Sequence, residues 1–316
     1  MYGTKPREYT SPLEKGDHPE IDNSEELNEE GIKKYQTMIG CLQWAVSLGR
    51  LDIQIAAMTM SRFRVAPRQG HLDRLKRMYG YLKKFSTAAT RVRTGDPDFS
   101  SLPDQDFDWC HSVYGEVEEL LPRDAPKPLG KAVTTVTYTD ANLYHDMLTG
   151  RSVTGVLHLC NQTLIDWYSK RQATVETATF GSEFTAARIA VDQIIDLRTT
   201  LQYLELVPVN QKSFMFGDNQ AVIMNSSIPH SSLNKRHNAL AYHRVREMIA
   251  ARVLGYYWVD GKNNPADIVS KYWSYPPVWH LMKPLLFYTG NTADLLIVEE
   301  TPAKNDRKIA DLGSDL

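Results

Sequence analysis

Residues 133–140 read VTTVTYTD, a run of β-branched side chains that ends in an aspartate. A second apolar run, SFMFGD at 213–218, ends in the same way. Because side chains alternate along a strand, each aspartate shares a face with the apolar residues of its own run. Ligand sites in open α/β sheets form at the carboxyl ends of strands. Asp140 and Asp218 are therefore the first candidates for a functional site.

The chain around these two runs alternates strand and helix patterns. Further strands are predicted at SVTGVLHLC (152–160), QTLIDWYS (162–169) and VLGYYWVD (253–260). Helices are predicted over 177–204, 218–227, 236–251 and 265–271. The order β-β-β-α-β-α-α-β-α predicts an α/β fold in which helices flank a mixed five-stranded sheet.

Two further carboxylates occur in distinctive contexts, Glu183 in FGSEFTAAR and Asp267 in NNPADIVSK. We expect Glu183 in the first turns of a helix, facing the sheet, and Asp267 at the start of the last helix. Taken singly, such acids are ordinary turn, capping or helix-dipole residues. Together with Asp140 and Asp218 they predict an oxygen-rich site for Mg²⁺, with Mn²⁺ as an alternative ion. Two ions about 3.5–4 Å apart can clamp a phosphodiester during hydrolysis.

The chain is divided by composition and pattern into five predicted parts. They are an acidic extended arm (1–30), a helical segment (31–95), an acidic linker (96–130), the α/β domain (131–275), and a C-terminal extension with a polar tail (276–316). The arm holds nine acids and three bases, whereas Arg62–Arg93 holds ten bases and one acid. A net charge of −2 thus conceals a basic segment of the kind that contacts phosphates, although a solvated face is the plainer alternative.

The composition excludes several classes of protein. The 316 residues are 42% hydrophobic, which is enough for a sizeable core. The three cysteines lack zinc-ligand spacing, and no apolar stretch approaches the ~20 residues of a membrane span. The N-terminus is polar and acidic, unlike a secretory signal. We expect an intracellular protein of the cytoplasm or nucleus with no membrane partner.

Residues 133–273 resemble the ribonuclease H domain of copia-type retrotransposon Pol polyproteins. The resemblance is carried by Tyr138–Ala141, Arg151–Gly155, Ile165–Gln172, Ser182–Phe184, Asp218–Gln220, Lys235–His237, Tyr242–His243, Arg246–Glu247 and Ala266–Ile268. It implies a ribonuclease H-like five-stranded sheet over the α/β domain. It also implies that the family's four metal-binding acids are Asp140, Glu183, Asp218 and Asp267.

The helical segment resembles the part that closes the family's reverse transcriptase domain. The matching residues are Tyr35–Gly40, Arg50–Ile53, Ser61–Phe63 and Tyr81–Lys83. In the family this thumb- or connection-like part lies against the template–primer duplex. No Y-x-D-D segment is present, so the chain resembles the C-terminal part of a longer polyprotein. The resemblance implies an upstream polymerase part as a partner and no polymerase activity from this chain alone.

The sequence departs from the family pattern at three places. The family usually has an acid where Gly181 stands, and often one where Asn142 stands. The loop 260–264 lacks the histidine that cellular ribonucleases H carry there. Proton delivery to the leaving oxygen is then expected from water or from a histidine elsewhere.

Basic and histidine side chains outside the four acids are predicted to contact nucleic acid. The candidates are Lys170, Arg171, Lys235, Arg236, His237, His243, Arg74 and Lys83. For His237 and His243 the alternative is a satisfied polar residue. Their spacing does not place them on one helix face, which disfavours a shared metal site.

The predicted function is endonucleolytic hydrolysis of the RNA strand of RNA–DNA hybrids by a two-metal mechanism. The predicted partner is such a hybrid or a template–primer duplex. Two alternatives stay open. One is an inactive retroelement remnant that binds nucleic acid without cleaving it. The other is an integrase-type strand transferase, which uses the same sheet with three acids.

Overall fold

The computed structural model describes residues 7–115, 117–119, 124, 132–204, 206, 211–233 and 236–288. The helices are α1 (Glu29–Ser47), α2 (Gln54–Met60), α3 (Gln69–Lys84), α4 (Thr179–Tyr203), α5 (Gln220–Ser227), α6 (Ala239–Ala250), α7 (Asp267–Ser270) and α8 (Tyr275–Met282). The strands are β1 (Ala88–Thr90), β2 (Thr135–Asp146), β3 (Arg151–Cys160), β4 (Thr163–Arg171), β5 (Ser213–Gly217), β6 (Leu254–Trp258) and β7 (Leu286–Tyr288).

Five strands form the central sheet in the order β4-β3-β2-β5-β6. The β2–β3 and β3–β4 pairs are antiparallel, whereas β2–β5 and β5–β6 are parallel. Parallel neighbours need crossover connections, and α4 joins β2–β4 to β5 while α5 and α6 join β5 to β6. The sequence predicted such a mixed five-stranded sheet with flanking helices, and the observed strand order and pairing confirm it.

The structure corrects the position of Asp140 within its strand. The sequence predicted that the strand ends at Asp140, but β2 continues to Asp146, with a register shift between Asn142 and Asp146. Asp140 instead pairs with Gly155 of β3, two residues beyond the last parallel pair, Tyr138 with Phe216. The prediction was wrong because pairing with β3, distant in sequence, sustains the strand. Asp140 therefore lies in mid-strand, just past the point where β2 and β5 part.

The two faces of the sheet carry different layers. Buried residues of α1–α3 share one apolar cluster with Val136, Leu157 and Phe216 of the sheet and with α7 and α8. On the other face, α4 and α6 pack with Val156, Met215 and Tyr256. The helical segment and the sheet thus have a continuous core. The five-part division of the chain stays a prediction.

Segments expected to be connectors are packed where they are described. Phe99 of the predicted linker lies 4.5 Å from Phe214 between ring centroids. The Gln105 side chain exchanges hydrogen bonds with the backbone of Tyr256, at 2.6 and 3.0 Å, along the outer edge of β6. β1 and β7 form a separate antiparallel pair. Residues 289–316 of the predicted polar tail lie outside the described residues.

Within the described ranges, no helix combines the length and the apolar character needed to cross a bilayer.

Candidate metal centre

Three of the four predicted acids converge at the point where β2 and β5 separate. Asp140 comes from β2, Asp218 follows the last residue of β5, and Glu183 lies in the second turn of α4. One carboxylate oxygen from each residue lies within 4.8 Å of the others. Three hard oxygen donors at this spacing can ligate one divalent cation, because Mg²⁺ prefers carboxylate and water oxygens.

The fourth acid, Asp267, joins this group through a lysine. Asp267 is the first residue of α7, and Lys271 Nζ lies 2.6 Å from its Oδ1. The same ammonium lies 3.0 Å from Asp140 Oδ1. Ser270 Oγ donates a hydrogen bond to the other oxygen of Asp140. Of the four predicted ligands, the structure thus places three around one position and links the fourth to Asp140 by an ammonium bridge.

The electrostatics of the site favour a cation. Burial, with the carboxylates of Asp140 and Asp218, raises the pKa of Glu183 well above its usual value. Burial and Asp140 also raise the pKa of Asp218, and they raise the pKa of Asp267 to about 7. Burial alone would lower the pKa of Lys271, but Asp140 and Asp267 outweigh it and raise that pKa. Clustered carboxylates disfavour their common ionisation, so a divalent cation would relieve the repulsion.

A buried asparagine and a glycine hold α7 against the sheet. Asn264 Nδ2 donates to the Thr139 carbonyl at 2.9 Å, and its Oδ1 accepts from the Ala266 amide. Gly155, opposite Asp140 on β3, has no side chain to obstruct α7. A Cβ there would lie 2.8 Å from both the Ala266 carbonyl oxygen and Ser270 Cβ. The glycine of the RSVTG motif therefore lets α7 approach Asp140 closely.

Asp218 is held from both sides by its neighbours in sequence and in the sheet. Its backbone carbonyl accepts a hydrogen bond of 3.1 Å from Trp258 Nε1 of β6. The next residue, Asn219, caps α5 by accepting from the Val222 amide. These contacts fix the backbone on which the Asp218 carboxylate is carried.

The predicted nucleic-acid contacts near the sheet have mixed surroundings. Lys170 is exposed on β4, whereas Arg171 donates to Asp146. Arg236 is exposed, and His243 Nδ1 lies 2.7 Å from the Tyr114 hydroxyl. Lys235 lies outside the described residues. Their roles as contacts stay predictions.

His237 lies beside a buried carboxylate that the sequence did not single out. Its Nε2 is 3.2 Å from Oε2 of Glu176. That oxygen lies 2.2 Å from where a Cβ of Gly181 would stand, so Glu176 fills the space next to the missing side chain. The glycine at position 181, where the family usually has an acid, was the signal in the sequence that another carboxylate could fill this space.

The two candidates on α3 are engaged by the acidic arm. Arg74 forms ion pairs with Asp17 at 2.7 Å and Asp22 at 2.6 Å, and Lys83 lies 3.4 Å from Glu8. The sequence predicted an acidic arm and a basic segment but no contact between them. In the structure, acids of the arm form ion pairs with side chains of α3.

Comparisons with known proteins agree with the sequence motifs. No protein-family model matches the chain. The chain is similar to the retrovirus-related Pol polyprotein from transposon TNT 1-94 of Nicotiana tabacum, with 28% identity over 238 residues. The match covers 75% of this chain but only 15% of that relative's length. It confirms the resemblance to retrotransposon Pol polyproteins.

Solved structures with partial overlap are ribonuclease H proteins and a reverse transcriptase. The N-terminal ribonuclease H domain of a Mycobacterium tuberculosis protein matches with 13% identity and a TM-score of 0.34, covering 48% of this chain and 98% of that chain. Ribonuclease H1 of Halobacterium salinarum has a TM-score of 0.33 at 13% identity, covering 43% and 94%. The foamy viral protease-reverse transcriptase in complex with RNA/DNA hybrid has a TM-score of 0.31 at 13% identity, covering 52% and 23%.

Proposed function

We propose that this chain hydrolyses the RNA strand of RNA–DNA hybrids as part of a longer retrotransposon Pol protein. The observation that supports this most is the approach of Asp140, Glu183 and Asp218 oxygens to within 4.8 Å of one another. The ribonuclease H-like sheet and the similarity to a Pol polyprotein agree with it. In this proposal the upstream polymerase part of that protein supplies the hybrid.

The donor set fits the divalent cations that this chemistry requires. Asp140, Glu183 and Asp218 would hold one Mg²⁺ ion, and Asp140 with Asp267 would hold the second. Mn²⁺ has similar ligand preferences. When bound, the ions would supply activation of the attacking water and stabilisation of the departing 3′ oxygen.

The protein's own residues orient this site. Buried Asn264 fixes the loop before Asp267, and Trp258 fixes the backbone of Asp218. Because loop 260–264 offers no histidine, proton delivery to the leaving oxygen would fall to water or to a histidine elsewhere in the chain. Selection of a hybrid over other duplexes would come from helix shape and 2′-hydroxyl contacts.

Cleavage of a labelled RNA–DNA hybrid tests the proposal. The purified full chain is incubated with Mg²⁺ and hybrid, RNA duplex or DNA duplex. We expect internal cuts in the RNA strand of the hybrid alone. Asp140→Asn and Asp218→Asn should each reduce the rate more than about 100-fold. Asp196→Asn, an exposed acid on the helix that carries Glu183, is the matched control and should cleave as wild type does.

One observation favours a second candidate, a nucleic-acid-binding remnant without nuclease activity. Lys271 places an ammonium on two of the four acids, where a second metal ion would bind. The remnant would bind hybrid in a salt-dependent manner and leave it intact at every Mg²⁺ concentration. Cleavage by wild type that Asp218→Asn abolishes would exclude this candidate. Binding of the hybrid without cleavage would refute the nuclease proposal and support the nucleic-acid-binding remnant.

A further inference from the structure

The cation that bridges two of the four acids is supplied by the chain itself. Lys271 Nζ lies 3.0 Å from Asp140 Oδ1 and 2.6 Å from Asp267 Oδ1. The side chain of Asp140 is 1% exposed, that of Asp267 25% and that of Lys271 36%. The ammonium thus reaches the site from its solvent side and covers a carboxylate that has almost no other access to water.

The fold, and not only helical spacing, puts the ammonium there. Lys271 follows Asp267 by four residues, so their contact is the ordinary neighbour pair of a helix face. The contact with Asp140 spans 131 residues of sequence. It exists because Gly155 lets α7 lie directly on β2 and β3, and because Asn264 anchors the loop before α7.

The position of Lys271 makes the two candidate cation positions unequal. One oxygen from each of Asp140, Glu183 and Asp218 surrounds the first position. Within the described part of the chain, the Lys271 ammonium donates hydrogen bonds to Asp140 and Asp267 but to neither Glu183 nor Asp218. A second ion between Asp140 and Asp267 would share these carboxylates with the ammonium, which already contacts one oxygen of each. A divalent ion at that place would also lie next to a positive charge, which repels it at close range.

We propose that Lys271 is a built-in competitor for the second cation. The first divalent ion binds at Asp140, Glu183 and Asp218 without disturbing the lysine. The second binds between Asp140 and Asp267 only when the ammonium leaves these carboxylates. Lys271 therefore neutralises the Asp140–Asp267 pair while the second ion is absent. It raises the concentration of free divalent cation at which the second ion binds, unless a substrate phosphate adds a ligand for that ion. This inference rests on the metal site of the proposed function.

Isothermal titration calorimetry with Mg²⁺, on the full chain without nucleic acid, tests the competition. For wild type we expect one ion with measurable affinity and a second that binds at least about tenfold more weakly. Lys271→Met keeps the length of the side chain and removes its charge. It should strengthen binding of the second ion about tenfold or more and leave the first within about twofold. Lys262→Met, which removes an exposed lysine from the preceding loop, should titrate as wild type does.

Asp218→Asn separates failure of this inference from failure of the proposed function. If wild type binds Mg²⁺ at one position, Asp218→Asn abolishes it and Lys271→Met changes nothing, the competition is refuted and the metal site stands. If Asp218→Asn binds Mg²⁺ as wild type does, the metal site itself is refuted.

A second measurement on wild type covers the case in which Lys271→Met does not fold. The ¹⁵Nζ resonance of Lys271, assigned by its loss in Lys271→Arg, is followed during the Mg²⁺ titration. We expect the resonance to change with the second, weaker binding phase. A resonance that stays unchanged through both phases, or moves fully with the first, would overturn the proposal.

Discussion

Arg62, in the turn that follows α2, donates a hydrogen bond of 2.6 Å to Oδ2 of Asp146, the last residue of β2. The same oxygen accepts from Arg171 at the end of β4. The Asp146 side chain is fully buried, yet its pKa falls to about 2 because hydrogen bonds and the two guanidinium groups outweigh the effect of burial. One carboxylate therefore joins the helical segment to the β2 and β4 strands of the sheet.

Removal of this carboxylate should destabilise the whole described structure. Asp146→Ala leaves two arginines close together without their shared partner, and we expect the free energy of unfolding to fall by about 3–5 kcal/mol. Urea denaturation followed by circular dichroism measures the change. Asp196→Ala, which removes an exposed carboxylate from α4, is the control. A loss for Asp146→Ala of less than about 0.5 kcal/mol would show that the two segments are not coupled through this residue.

The carboxylate cluster should give the protein a characteristic pH dependence when divalent cations are chelated by EDTA. The folded pKa of Asp267 is about 7 against an ordinary value of 3.8, so the folded chain holds this proton more tightly than the unfolded chain. Its contribution to stability is therefore complete below the ordinary pKa and is lost as the pH rises through 7. We expect Asp267→Asn to lose less thermal stability than wild type between about pH 5 and pH 8.

Asp267→Asn must be compared with wild type because other groups change the stability with pH in the opposite direction. Burial lowers the pKa of His145 to about 4, so that histidine gains stability for the fold as the pH rises through its ordinary value. The difference in Tm between wild type and Asp267→Asn cancels this contribution. Parallel pH profiles for the two proteins would contradict the raised pKa of Asp267. Addition of Mg²⁺ should raise the Tm of wild type more at pH 8 than at pH 5.

Substitution of Arg74 on α3 and of Lys170 on β4 should affect hybrid binding differently. Arg74 is held by Asp17 and Asp22, so we expect Arg74→Ala to lower the free energy of unfolding by about 1–3 kcal/mol and to change hybrid affinity less than about twofold. Lys170 is exposed on β4. If it contacts a phosphate, Lys170→Ala should weaken hybrid binding and reduce the salt slope by about 1. Fluorescence anisotropy at several salt concentrations measures the hybrid affinity and the salt slope of each variant. A larger loss of affinity for Arg74→Ala than for Lys170→Ala would reverse this assignment.

The sequence predicted the sheet, its flanking helices and a helical position for Glu183 because these depend on local periodicity. It also singled out Asp140, Glu183 and Asp218, whose motifs are local. It misplaced Asp140 in the strand because the continuation of β2 depends on pairing with β3. The role of Lys271 was not predicted, although its four-residue spacing from Asp267 was a usable signal. Its contact with Asp140 is a product of tertiary structure alone.

The sequence also did not predict the ion pairs between the acidic arm and α3. The acidic arm and the basic segment were both recognised from their charges, but their contact with each other was not predicted. The buried side chain of Leu13 shows why the arm lies on α3, since it joins the core formed by α1–α3. An apolar anchor within a charged stretch is a weak signal in a single sequence.

Crystals of the full chain grown with Mn²⁺ test the central claim most directly, because anomalous scattering locates the ion without reference to activity. We predict a peak about 2.0–2.3 Å from carboxylate oxygens of Asp140, Glu183 and Asp218. A second peak near Asp267 should occur only where Lys271 has moved away. Well-ordered crystals without a peak at the three acids, or with their carboxylates turned away from one another, would contradict the account.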